Sequence, residues 1–102
     1  MLRFIEVIND TDFRPRMERT ANVRFSLGEV WINENYVVSF RSAPGYQTIL
    51  KEGRILGDLS RDHEFTAITT NNGHLTETHI VVGDIATVAT RINKNKATLL
   101  KG

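Results

Sequence analysis

The sequence predicts an α+β fold that is mainly β. The expected form is a small twisted antiparallel sheet or partial barrel of four or five strands, with a short helix in an insertion and one C-terminal amphipathic helix. Three observations predict it. Alternating, β-branched segments recur through the first two thirds of the chain, an Asn-Gly pair lies between two Thr-rich segments, and an apolar stripe at helical spacing follows them.

Leu2 to Ile8 alternates and is rich in β-branched and aromatic residues, which favours a strand. Asn9-Asp10-Thr11-Asp12 has turn chemistry, because short polar side chains bond their own backbone. Pro15 keeps Arg14 out of the helical region and marks an exposed connection. Val23, Phe25 and Leu27 alternate with Arg24 and Ser26 in a second strand that Gly28 is expected to end. Glu29 to Ile32 and Tyr36 to Arg41 read as two strand pieces around a local turn at Asn33-Glu34-Asn35.

Ser42 to Asp62 reads as an insertion. It carries about two helical turns from Tyr46 to Glu52, with Gly53 just past the helix end. From Phe65 to Val82 the Thr-rich segments flank Asn72-Gly73, the preferred two-residue hairpin turn. That turn pairs Asn71 with His74 and Phe65 with Ile80. It leaves each face of the hairpin half apolar, which suggests a barrel-like wrap or packing against another subunit. Asp84 is placed to cap a helix whose stripe is Ile85, Val88, Ala89 and Ile92, and residues 93–102 read as a Lys- and Asn-containing tail.

The chain of 102 residues is expected to form a single domain, 1–102, with 40% hydrophobic and 25% charged residues. A net charge of +1 gives no strong field for nucleic acid or an anionic membrane. The absence of cysteine excludes disulfides, thiolate catalysis and Cys-ligated zinc. Charges at Arg3 and Glu6 interrupt any signal-peptide core, and no apolar run approaches the ~20 residues of a membrane span. The expected location is a cytoplasm, or a virion if the protein is viral.

No catalytic signature is found. The nucleophile elbow, Walker and dinucleotide fingerprints and the His-Glu-x-x-His spacing are all missing. His63 lies beside Asp62 and Glu64. His74 and His79 are five apart, so a strand sends them to opposite faces. Basic residues gather around Arg14 and Arg16, and again at Arg91, Lys94, Lys96 and Lys101. Both groups are candidate anion or nucleic-acid contacts.

Glu29 to Phe40, Thr66 to Gly73 and Ile80 to Ile92 together resemble, in layout, the small flagellar regulatory proteins of the FlbD/SwrD type. In those proteins an apolar-x-apolar-Asn segment precedes a turn, a further strand, an Asn-Gly turn and a closing helix. Short phage-encoded proteins of unknown role share this layout. The resemblance covers about half of the chain and implies the order of parts only, with no functional residue.

These readings predict a non-catalytic protein-binding module, a phage or bacterial accessory or regulatory protein. It is expected to form homo-oligomers and to bind a larger protein. The expected contact residues are Trp31 and Tyr36 as aromatic anchors, with Tyr46, Ile49, Leu50 and Ile55 from the insertion. Two alternatives stand beside it. One is a small-ligand or nucleotide-binding protein, with hydrolysis as an option, using Arg14, Arg16, His63, Glu77 or His79 between subunits. The other is nucleic-acid binding through the C-terminal cations. No cofactor and no metal are expected.

Overall fold

The alternating, β-branched segments form five antiparallel strands: β1 (Leu2–Asn9), β2 (Phe25–Ile32), β3 (Val37–Ser42), β4 (Phe65–Asn71) and β5 (Thr76–Val82). A 3₁₀ turn spans Glu34–Tyr36, helix α1 spans Gly45–Lys51, and helix α2 spans Ile85–Lys101. The structure is a computed structural model that describes residues 1–9, 25–53 and 62–101, with side chains as far as Lys94. It has the mainly-β, α+β architecture that the sequence predicts.

The strand order is β2-β1-β5-β4-β3, so β2 and β3 are the two edges. In a flat sheet, edges four spacings apart would be separated by about 19 Å. Only four residues, Asn33 to Tyr36, join them, and three of these are coiled in the 3₁₀ turn at about 2 Å per residue. The sheet must therefore curl, and Ile32 and Val37, on opposite edges, meet in one core cluster. Asn33 sets the turn by accepting the Asn35 N–H at 2.9 Å.

On the inner face of the curl, Phe4, Ile32, Val37, Ile68 and Val81 pack against Val88 and Ile92 of α2. On the outer face, Val7, Phe25 and Phe65 pack against Leu50, Tyr46 and Ile49 of α1. Tyr46 sits edge-on to Phe25, with ring centres 5.8 Å apart, and against Phe65 at 6.2 Å. The two apolar faces that suggested a neighbouring subunit are thus covered within one chain, each by its own helix.

Several boundaries move. β2 runs through Gly28, which pairs with Glu6 instead of ending the strand. A Cβ at Gly28 would lie 2.5 Å from the Ile8 side chain, so the glycine makes room for Ile8. Val38 is looped out of the β3–β4 ladder at a register shift and is exposed.

The hairpin pairs Asn71 with Thr76 and Phe65 with Val82, two residues beyond the predicted register. Asn side chains cause the shift. Asn71 Oδ1 accepts the Gly73 N–H at 2.7 Å, and Asn72 Oδ1 accepts those of His74 and Leu75 at 3.1 and 3.0 Å. These bonds stabilise a four-residue loop, and a shift of two leaves every side chain on its predicted face.

Asp84 caps α2 as expected, accepting the Thr87 N–H at 3.2 Å and its hydroxyl at 2.8 Å. Those two bonds, the hydroxyl first, hold its carboxyl below the ordinary carboxylate range. The stretch read as a tail is helical to Lys101, because no Gly or Pro stands between Ile92 and Gly102 to stop the helix.

Candidate functional site

The inner face is apolar only where α2 covers it. Towards the hairpin the same face carries Glu6, Thr70, Glu77 and His79, since the strand registers place them in line with Phe4, Ile68 and Val81. There the curl leaves a cleft of about 120 Å³. It is lined by Trp31 and Ile32 of β2, Tyr36 of the 3₁₀ turn, Thr70 of β4, Asn72 and Leu75 of the hairpin loop, and Glu77 and His79 of β5.

Three large apolar side chains at this cleft are exposed: Trp31 at 56%, Leu75 at 55% and Tyr36 at 47%. Each stands there for a local reason. Trp31 is the penultimate residue of an edge strand, Tyr36 ends the 3₁₀ turn, and Leu75 is held in the loop by Asn72.

His79 forms the polar wall. Its Nδ1 lies 2.7 Å from Glu6 Oε2, and its Nε2 lies 3.8 Å from Glu77 Oε1. The Nδ1 contact with Glu6 fixes the ring so that Nε2 faces Glu77. Glu77 is half-exposed, so the cleft presents a carboxylate beside aromatic surface. Among the described residues no group of His, Asp and Glu has the geometry to hold a metal ion.

The insertion residues behave differently from expectation. Leu50 is buried at 4% exposure, and Tyr46 and Ile49 pack against the outer core while staying partly exposed. Ile55, Arg14 and Arg16 lie outside the described residues, and Lys96 and Lys101 lie where α2 is described by its backbone alone. Lys94 is exposed on α2, while His63 and His74 are exposed away from His79. Arg91 does not line the aromatic cleft; it lies over the Phe4 ring at 4.3 Å.

Glu6 and Leu75 were not singled out in the sequence. Glu6 had a signal, an acidic residue in register with the inward-facing Leu2 and Phe4. Leu75 had none, because its position depends on the widened loop. A second carboxylate outside the cleft is also tied into the fold, where buried Glu34 receives the Met1 ammonium at 3.1 Å. No protein-family model matches the chain, and no curated protein or solved structure is significantly similar to it.

Proposed function

We propose that the protein is a non-catalytic binding module, whose aromatic cleft receives a segment of a larger protein bearing a basic residue among apolar ones. The observation that carries this reading is the convergence of exposed Trp31, Tyr36 and Leu75 beside the Glu77 carboxylate. Trp and Tyr are the residues most enriched at the energetic centres of interfaces. A cation set between those rings and Glu77 gains from both the ring faces and the carboxylate.

The cleft volume of about 120 Å³ offers room for one anchoring side chain. It falls well below the ~300 Å³ from which small-molecule pockets begin. That size favours a protein partner over the nucleotide-binding alternative. An accessory or regulatory role fits a module of this kind. Self-association has less support, because α1 and α2 already cover both faces of the sheet.

The test is selection from a random displayed-peptide library on the full chain, followed by titration of labelled winners. The selected peptides are expected to share a Lys or Arg next to apolar residues. Trp31→Ala and Tyr36→Ala are each expected to weaken them by at least tenfold, consistent with ~1.4 kcal/mol or more per anchor. Winners that bind both variants as tightly as the parent, or that carry acidic residues instead, refute the reading.

A further inference from the structure

We propose a second binding site, independent of the aromatic cleft, in the seam between β1 and β5, for a small organic anion with a short apolar body. The seam exists because these strands pair at a single position, Glu6 with Val81. The same register would set Ile5 against Val82 and Phe4 against Gly83, but the ladder does not continue. Gly83 turns away at φ 138° while its N–H extends the β4 side, donating to Glu64 O at 2.8 Å. The ladder therefore parts, and a cleft of about 260 Å³ opens, lined by Arg3, Phe4, Ile5, Val82 and Arg91.

Arg91 bridges the gap from α2. It donates from Nη2 to Arg3 O at 2.8 Å, in place of a ladder bond, and its Cζ lies over the Phe4 ring, 4.3 Å from the ring centre. Both contacts fix the guanidinium without neutralising it, and among the described residues no carboxylate pairs with it. A guanidinium has five N–H donors in a rigid fork, so several remain for a planar oxyanion. Arg3, whose guanidinium is paired with Glu29 of β2, lies at the rim.

Phe4, Ile5 and Val82 are apolar walls adjoining these cations. A bare phosphate would leave that surface wet, and an apolar molecule would leave the cation unanswered. A carboxylate on a chain of a few carbons, or on one ring, answers both.

The probes are hexanoate, inorganic phosphate and hexylamine, added to the full-length protein while the Ile5 and Val82 methyl resonances are followed by NMR. Hexanoate is expected to shift both methyls saturably in the millimolar range. Phosphate is expected to be at least tenfold weaker, and hexylamine without effect. Arg91→Gln, which keeps an amide donor for the Arg3 carbonyl, should weaken hexanoate at least tenfold with the remaining spectrum folded. Should that variant unfold, Arg3→Gln provides the measure, with a loss of about threefold expected. Equal binding of hexylamine, equal binding of phosphate, or hexanoate affinity unchanged in the folded variants overturns the assignment.

Discussion

Replacing Ile92 by Ala tests whether the chain closes its own core. The side chain is fully buried between α2 and the inner sheet face, beside Val88, Ile68 and Phe4. The substitution removes three carbons, worth about 2.4 kcal/mol at ~0.8 kcal/mol each. A partly unrelaxed cavity adds to this, so a loss of about 3–4 kcal/mol is expected within the usual ~2–5 kcal/mol range. A domain of this size holds about 5–15 kcal/mol in total, so the variant keeps a fold with a much reduced margin.

Urea unfolding followed by far-ultraviolet circular dichroism measures it. The midpoint should fall by about 2 M at an unchanged slope of roughly 1.5 kcal/mol/M. Thr90→Ala, on the exposed side of the same helix, should stay within about 0.5 kcal/mol of the parent. Each curve is repeated at tenfold higher protein concentration. A loss for Ile92→Ala below ~1 kcal/mol, or a parent midpoint that rises with concentration, would mean that α2 packs on a neighbour's sheet and would sink the argument.

Two further outcomes follow from local geometry. The Asp84 carboxyl titrates below the ordinary carboxylate range in the folded state, so its stabilising effect is fully present above that range. It is lost as pH falls through the lower folded value, and Asp84→Asn should show a shallower loss of urea midpoint between about pH 4 and pH 2 than the parent. Gly73 has φ 96° and open space where a Cβ would stand, so Gly73→Ala should cost about 1–2 kcal/mol from backbone strain alone. A melting temperature unchanged by Gly73→Ala would contradict that loop conformation.

The legible parts of the fold were those written in side-chain periodicity. The strand segments, the α2 stripe with its Asp84 cap and the two-sided hairpin are each encoded by neighbours a few residues apart. The register of that hairpin was not, because two Asn side chains compete for backbone donors that the simple two-residue turn would have used. The end of α2 was misplaced because Asn and Lys are weak evidence for a stop where no Gly or Pro intervenes.

At the site, Trp31 and Tyr36 were found as exposed aromatics, but Glu6 meets His79 across 73 positions of sequence. Only the pairing of β1 with β5 brings them together. Leu50 was read as a surface residue and is buried, because apolar residues on a short helix read the same whether they face a partner or the protein's own core.

The parted ladder between β1 and β5 has a dynamic consequence. It divides the molecule into two sequence-contiguous lobes, the β1–β2 pair and the β3–β5 meander. Among the described residues they are laced by one paired backbone position, the short edge-to-edge tether, the Glu6–His79 contact and the side chains of α1 and α2. Sub-global opening should start along that line, with amide hydrogens on β1 exchanging well before those at the centre of β4, which is paired on both sides.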